Sequence, residues 1–415
     1  MADTAYGHPT HASGNHSRHR IGGSMSRTIC FFTGTRAEYG LLRPLMKAVG
    51  STPGAVLKTL VTGTHLAESS GTTWREIAAD GLPINERVEM LLDSGTDESI
   101  CTSIGLGVMR YGEALKRLAP DMLVILGDRF EAIAAAVAAT VCKIPIVHIH
   151  GGELTLGAMD DAFRHAITKM SHLHFTSTEA YRQRVIQLGE DPARVHNVGA
   201  LGVENIRTLP LLNRTEVERR LDIVAGQPYF LVTFHPATLD RQAPEMQLKA
   251  LLEALEAFPD RLIVFTGANA DPGGAGLNRL LAEHSQMHAG RFRFSMSLGA
   301  TLYLSAARAA DAVVGNSSSG IIEVPSLGIP TIDIGSRQQG RIRSESVLTC
   351  TTDTEAIKEA ISEALMPEFR ARAAVAVNPY ERAGTTEQIV QTLMTWDDKT
   401  ALHKPFHDLP PNSMT

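Results

Sequence analysis

The stretch "DMLVILGDRFEAIAAAVAATVCKIPIVHIHGG" (residues 121–152) contains two short apolar runs separated by an alanine-rich segment over residues 130–140. Each apolar run is too short for a helix of ordinary length and is rich in branched residues. Alanine is the strongest helix former, so the middle segment predicts a helix. The stretch therefore indicates two parallel strands, joined by a helix and buried on both faces of a sheet.

The same alternation continues on both sides of this stretch. In the first half, strands are predicted over residues 28–34, 57–63, 121–128, 144–151, 172–178 and 194–200. After a segment rich in charge and proline (207–228), the pattern restarts with predicted strands over 229–236, 261–271, 291–296, 311–320 and 329–335. The sequence thus predicts an α/β protein with two Rossmann-like, doubly wound domains and a ligand cleft between them.

The predicted boundaries follow from these changes in pattern. We expect a disordered leader over 1–24, an N-terminal domain over 25–208, a C-terminal domain over 209–383 and a tail over 398–415. The leader is polar, contains four histidines and lacks the apolar segment of a signal peptide.

The composition excludes several functional classes. Of 415 residues, 43% are hydrophobic and 20% are charged, and the net charge is −6. An acidic chain lacks the basic footprint of a nucleic-acid-binding protein, and no apolar run approaches the length of a membrane span. The four cysteines are far apart and form no CxxC pair, which is typical of reduced thiols in a cytoplasmic protein.

Polar clusters follow several of the predicted strands. They are "TGTRAEYG" (33–40), "GDRFEA" (127–132), "HIHGGE" (148–153), "TFHP" (233–236) and "GNSSSG" (315–320). Any one of them alone is explained equally well by a helix N-cap. Because parallel strands end at one edge of their sheet, five such clusters predict an active site at that edge.

Small residues in "GNSSSGIIEV" (315–324) predict a phosphate site. Ser318, Ser319 and Gly320 would let the backbone approach a diphosphate at the start of a helix, and Glu323 would accept ribose hydroxyls. The alternative is a serine-rich cap. The chain contains neither GxxxxGK[ST] nor GxGxxG, which argues against P-loop and dinucleotide sites.

Asp128 ends an apolar strand and is therefore a candidate proton acceptor, the alternative being a surface pair with Arg129. His148 and His150 are predicted to share one face of a strand, a pattern that also begins some metal sites. We favour an acid–base pocket of His150, Glu153 and Asp160 or Asp161 over a metal. One of the two aspartates is expected to cap the helix that follows, and His165 is expected to pack in the core.

Taken together, seven segments resemble the hydrolysing UDP-N-acetylglucosamine 2-epimerases of the sialic-acid and legionaminic-acid pathways. They are "TGTRAEYGLLRPLM" (33–46), "GDRFEA" (127–132), "HIHGGE" (148–153), "DDAFRHAITKMSHLHF" (160–175), "VIQLGEDPARVHNVGALG" (185–202), "GNSSSGIIEVPSLGIPTIDIGSRQQGR" (315–341) and "NPY" (378–380). The resemblance implies a glycosyltransferase-B-like architecture with a C-terminal UDP-binding domain. It also implies a helix over 384–397 that crosses back to the N-terminal domain, and a homo-oligomer, dimer or tetramer.

The resemblance also implies a two-stage reaction without a metal or other cofactor. A base removes the C2 proton as UDP leaves C1, and water then adds to the resulting glycal with inversion at C2. Asp128, Asp160 and Asp161 match the family's catalytic carboxylates. The matched substrate contacts are Arg36, Arg129, His235, Ser318, Ser319, Gly320, Glu323 and Arg337.

One position departs from the family pattern. His150 stands where several family members have Glu, so either His150 or Glu153 takes that proton-transfer role, and the choice between Asp160 and Asp161 also stays open. The sugar is either N-acetylglucosamine or the diacetamido sugar N,N'-diacetylbacillosamine. A glycosyltransferase-B-type sugar transferase, a metal-dependent hydrolase and a nucleotide-sugar sensor are the alternatives from other classes.

Overall fold

The computed structural model describes residues 26–92, 94, 96–237, 239–240, 242–268, 273–396 and 402–410. The predicted leader (1–24) lies outside the described residues. The predicted tail (398–415) is described over 402–410 only.

A parallel sheet organises the N-terminal half of the described chain. Its strands are β1 (Arg27–Thr33), β2 (Ala55–Thr62), β3 (Glu86–Val88), β4 (Met122–Leu126), β5 (Ile146–Ile149), β6 (Leu173–Thr176) and β7 (Val195–Asn197). They are arranged in the order β3-β2-β1-β4-β5-β6-β7. The strand order reverses between β1 and β4, the position at which open α/β sheets bind ligands.

A second parallel sheet organises the C-terminal half. Its strands are β8 (Tyr229–Thr233), β9 (Leu262–Thr266), β10 (Phe292–Ser295), β11 (Ala312–Gly315), β12 (Thr331–Ile334) and β13 (Val347–Cys350). Their order, β10-β9-β8-β11-β12-β13, repeats the reversal of the first sheet, here between β8 and β11.

Helices cover both sheets. In the N-terminal half they are α1 (Arg36–Gly50), α2 (Trp74–Ala79), α3 (Asp97–Leu118), α4 (Phe130–Val141), α5 (Asp160–Met170), α6 (Glu179–Gln187) and α7 (Leu201–Thr208). In the C-terminal half they are α8 (Arg214–Leu221), α9 (Pro244–Glu256), α10 (Gly274–Met287), α11 (Gly299–Ala309), α12 (Ser318–Ile322), α13 (Thr354–Leu365), α14 (Pro367–Val375) and α15 (Thr385–Thr395).

The predicted two-domain α/β architecture is confirmed, but the sequence pattern missed two edge strands. β3 contains three residues, and β13 is only partly buried. A strand at the edge of a sheet needs neither length nor a continuous apolar run, so neither produced the signal of a buried strand.

The end of the described chain returns to the N-terminal half. Ile389 and Leu393 of α15 are buried in the same apolar cluster as Leu42 and Leu45 of α1. Further on, the Lys404 ammonium donates hydrogen bonds to the Ser171 carbonyl, at 2.7 Å, and to Glu190, at 3.0 Å. No described helix combines the length and apolar character needed to cross a bilayer.

Candidate active site

Arg164 of α5 connects the polar groups that follow β4 and β5. Its guanidinium donates to the Asp128 carboxylate, to the Glu153 carbonyl (2.9 Å) and to the Thr155 hydroxyl (2.7 Å). It also lies 3.4 Å from Asp161 Oδ1. Only 2% of Arg164 is exposed, and burial lowers the pKa of its guanidinium. An arginine fork buried between two carboxylates fixes both in position.

Asp128 is held inside the site and not at the surface. Its side chain is 17% exposed and is paired with Arg164, while the neighbouring Arg129 lies 3.3 Å from the buried Glu131. The alternative of a surface pair between Asp128 and Arg129 is therefore wrong. Part of the Asp128 side chain stays exposed, as a proton acceptor requires.

The two aspartates at the start of α5 do not cap it as expected. Met159 occupies the N-cap position and makes no side-chain capping bond. Asp161 Oδ1 instead accepts the Thr155 N–H at 2.6 Å, and Asp160 is buried. The capping prediction is wrong because both residues already lie inside the first helical turn.

His165 also differs from its prediction. It lies one helical turn after Asp161, on the same face of α5, with its Nε2 atom 3.6 Å from Asp161 Oδ2. Its side chain is 27% exposed, so it does not pack in the core.

His148 supports the turn that carries Asp128. Its Nε2 atom lies 2.8 Å from the Gly127 carbonyl, so Nε2 is the protonated nitrogen and donates. Nδ1 then accepts from the Thr168 hydroxyl at 3.1 Å. Burial lowers the pKa of His148 to about 3, and the ring is therefore neutral at physiological pH.

His150 lies just beyond the end of β5, so the prediction that it shares a strand face with His148 is wrong. Its φ of 67° is in the left-handed region, which non-glycine residues rarely adopt. Such backbone is concentrated at functional sites. His150 Nδ1 lies 3.4 Å from Glu153 Oε1, and Nε2 is buried without a hydrogen-bond partner among the described residues.

Glu153 is buried between the two halves of the molecule. Its Oε1 accepts the Ser177 hydroxyl at 2.7 Å, and its Oε2 pairs with the Arg341 guanidinium from the loop after β12. Burial lowers the pKa of His150, while the Glu153 charge opposes that shift and the Arg341 charge adds to it.

A cavity opens between the C-terminal sheet edge and the helices α1 and α7. Its lining consists mainly of small and hydroxyl-bearing residues, including Gly202, Thr233, Gly267, Gly299, Ser317, Ser318 and Ser319, together with Arg36, His235 and Glu323. These are donors and small surfaces suited to a phosphate-bearing ligand.

The backbone of this cavity is fixed by Asn316, which is 2% exposed. Its side-chain oxygen accepts the His235 N–H at 2.7 Å, and its amide donates to the His235 carbonyl at 2.8 Å. Gly320 does not line the cavity; a Cβ there would lie 2.8 Å from Thr331 Cγ2, so glycine lets α12 pack against β12.

Arg36 and Glu323 both line the cavity, one from each half of the molecule. Arg36 is the first residue of α1, between the capping-box residues Thr35 and Glu38, and pairs with the half-exposed Glu76 at 2.8 Å. The Arg36 side chain stays about one-third exposed and is therefore accessible to a ligand. Glu323 contacts Gly202 of α7 closely enough that a Cβ at position 202 would lie 2.0 Å from its Oε1. Burial raises the pKa of Glu323 to about 7.

The loop over residues 335–341 joins the cavity to the acidic cluster. Arg337 donates to the Asn316 carbonyl at 3.3 Å on the cavity side, and Arg341 pairs with Glu153 on the other. Gly157 packs against this loop, where an added Cβ would lie 2.7 Å from the Ser336 carbonyl. The loop therefore contacts both Asn316, next to the serines that line the cavity, and Glu153 of the acidic cluster.

Over the described residues, no three His, Cys, Asp or Glu side chains are grouped so that they could hold a metal ion. Both ring nitrogens of His148 already bond to the protein.

A model of the family described as UDP-N-acetylglucosamine 2-epimerase matches residues 47–394. The chain belongs to this family. The predicted family and fold class are thus confirmed.

Two curated relatives are each 37% identical to this chain over 92% of its length. One is the GDP/UDP-N,N'-diacetylbacillosamine 2-epimerase (hydrolyzing) of Campylobacter jejuni, of which 99% is covered. The other is the polysialic acid biosynthesis protein P7 of Escherichia coli, of which 98% is covered. Among solved structures, the Neisseria meningitidis UDP-GlcNAc 2-epimerase bound to UDP-GlcNAc is 17% identical, with a TM-score of 0.73 over 89% of this chain and 99% of that one.

Sequence reasoning missed three residues that organise the site: Arg164, Asn316 and Arg341. Arg164 and Arg341 lie inside segments that were quoted for the family resemblance, and Asn316 directly precedes the serine run. The available signal was the position of these residues within the segments that resemble the family. Their partners come from distant positions in the chain, which spacing alone does not reveal.

Proposed function

We propose that this enzyme is a hydrolysing 2-epimerase that converts UDP-N-acetylglucosamine and water into UDP and N-acetylmannosamine. One observation carries the proposal: the loop over 335–341 connects a cavity of small residues to a buried acid–base cluster. Leaving-group binding and proton transfer at a sugar ring need these two parts side by side.

The first stage of the proposed reaction is an elimination. The C1–O bond to UDP breaks, and charge resembling an oxocarbenium ion develops at C1, which acidifies the C2–H bond. Carboxylates stabilise such charge in glycoside hydrolysis. A base, with Asp128 and His150 as candidates, takes the C2 proton, and a C1=C2 double bond forms.

Substrate contacts are proposed for the other sites named in the sequence analysis. Arg36, His235, Ser318 and Ser319 would bind the diphosphate, with Arg129, Glu323 and Arg337 as further contacts. Gly320 would act by shaping the backbone.

The second stage is a hydration. Water adds its hydroxyl to C1 while an acid delivers a proton to C2 from the opposite face, which inverts that centre. Asp160 and Asp161, which begin α5 beside Arg164, are the proposed acids, and Glu153 acts through His150. One water is consumed, and no redox step occurs.

A second substrate, UDP-N,N'-diacetylbacillosamine, is favoured by the name of the Campylobacter relative, which is 37% identical. Both sugars carry the 2-acetamido group and the C2–H bond on which the proposed site acts. They differ away from C2, so the same acid–base groups would serve either one.

The test is to incubate the enzyme with each UDP-sugar in deuterated water, without an acceptor. We expect UDP release and a free 2-epimer with deuterium at C2, detected by NMR. The substrate with the larger kcat/KM is the assigned one. An inert enzyme on both sugars, or one that releases UDP only when a sugar acceptor is added, would contradict the proposal. Cytoplasmic location and a dimeric or tetrameric state stay predictions.

A further inference from the structure

We propose that Arg341 is a positioning residue, which reaches from the C-terminal half to Glu153 and thereby keeps His150 neutral for proton abstraction. The inference rests on the proposed function, because it concerns how that site is prepared for its first step. It adds a role for a residue of the loop after β12.

The contacts form a chain of three side chains. The Arg341 guanidinium pairs with Glu153 Oε2, and Glu153 Oε1 lies 3.4 Å from His150 Nδ1. All three side chains are at least nine-tenths buried, so solvent screens them little. With Nδ1–H facing Glu153, the lone pair of His150 is on Nε2, the atom without a partner among the described residues.

Two tyrosines hold Arg341 in place. The Tyr181 hydroxyl of α6 accepts the Ile342 N–H at 3.0 Å, and the Tyr380 hydroxyl donates to the Ile342 carbonyl at 2.9 Å. The two hydroxyls lie 2.9 Å apart. The backbone next to Arg341 is thus fastened to a helix of the N-terminal half. The Arg341–Glu153 pair therefore forms when the two halves of the molecule come into contact.

The charges of Arg341 and Glu153 determine how this pair affects the protonation of His150. Glu153 alone would favour the imidazolium form of His150, which cannot accept a proton. Arg341 offsets that charge and leaves burial to lower the pKa of His150. The other charged or titratable groups around the pair and His150 include His148, Asp128, Asp161, Arg164, Tyr181, Tyr380, Arg337 and Glu323.

The experiment compares pH profiles of kcat/KM for the wild type and Arg341→Gln. In the variant, the unpaired Glu153 charge raises the pKa of His150. Because the neutral ring is the active base, the acidic limb should move upward by roughly one pH unit. Arg341→Lys, which keeps the charge, should bring the limb back towards the wild-type position. Glu153→Gln, which removes the charge that favours the imidazolium form of His150, should move the limb in the opposite direction, downward.

A matched control comes from the same half of the molecule. Arg261 pairs with Asp311 at 3.3 Å, and both side chains are less than one-fifth exposed. Arg261→Gln should leave the limb in place. An equal shift in Arg261→Gln, or no shift in an Arg341→Gln enzyme that still binds UDP, would overturn the proposal.

A second measurement does not require turnover. The ring C–H signals of His150, assigned by their loss in His150→Asn, report its pKa by NMR in wild type and in Arg341→Gln. An upward shift supports the inference even where the wild type turns over neither UDP-sugar, in which case only the proposed function fails. An unchanged His150 titration overturns the inference alone. Should Arg341→Gln not fold, Glu153→Gln decides the same question: it should lower the pKa of His150, and a His150 titration that stays unmoved would overturn the inference.

Discussion

The two sheet edges that face the cleft present different kinds of side chain, charged at one edge and small or hydroxyl-bearing at the other. At the edge of the N-terminal sheet, Asp128 and Asp161 share the buried Arg164, and the buried Glu153 pairs with Arg341 from the other half. At the edge of the C-terminal sheet, serines, threonine and glycines line an open cavity. The first edge is held by ion pairs before any ligand arrives, while the second offers a cavity into which a ligand can bind. We infer that the first edge sets the rate of the chemical step and the second sets affinity for the nucleotide.

The largest expected effect is on kcat, from a substitution at the edge of the N-terminal sheet. Asp128→Asn removes a candidate base while keeping the shape of the side chain, and should lower kcat by about 10²–10⁴. Calorimetry should show unchanged UDP affinity, because the cavity lining does not include Asp128. Full activity in this variant would show that Asp128 is not part of the mechanism. It would also contradict the inference that the N-terminal edge sets the rate of the chemical step.

Arg164→Met tests whether the first edge is also important for stability. The change leaves Asp128 and Asp161 without their shared buried partner and should reduce the free energy of unfolding by about 3–5 kcal/mol. Denaturant unfolding measures this loss. Arg117→Met, which breaks an exposed pair with Glu86, is the matched control and should change stability little. Equal losses in the free energy of unfolding for the two variants would contradict a stabilising role of Arg164.

The two halves should also differ in how much stability they lose at acidic pH. Burial lowers the pKa of His148 to about 3, so the unfolded chain takes up a proton below pH 6.5 that the folded chain does not. Stability contributed by this neutral ring is present above pH 6.5 and is lost as pH falls, by about 2 kcal/mol at pH 5. Burial lowers the pKa of His65 and His172, also in the N-terminal half, to about 4.

Hydrogen exchange at pH 7.5 and pH 5 measures this difference. We expect β5 and β6 to lose protection at pH 5 before β8 and β11 do. Glu38 and Glu323, whose pKa values burial raises to about 7, act in the opposite direction, and one lies in each half. If the C-terminal sheet lost protection first, the expectation that the N-terminal half is more sensitive to acid would be wrong.

The smallest expected effect is at the second edge. Ser319→Ala removes one hydroxyl from the cavity lining and should weaken UDP binding about tenfold, the value of one hydrogen bond to a charged group. At saturating substrate, kcat should change little. A variant that loses kcat while it keeps its UDP affinity would show that Ser319 acts in the chemical step.

The sequence by itself determined the fold class, the family and the neighbourhood of the site. Apolar runs such as "MLVIL" and "IVHI" are local signals, and the residues after parallel strands necessarily meet at one edge. Asp128, His150 and Glu153 were predicted as site residues for that reason, and the Asp160–Asp161 pair was predicted because it begins the helix that follows. The short edge strands β3 and β13 were missed because an edge strand requires no continuous apolar run.

Only the tertiary structure decided which charged groups are paired. Arg341 is 188 residues from Glu153 in the chain, and Arg164 is 36 residues from Asp128. No periodicity links such positions. Packing of one half against the other brings Arg341 to Glu153, and the low dielectric of the interior makes the charge that each group meets there decisive for its protonation.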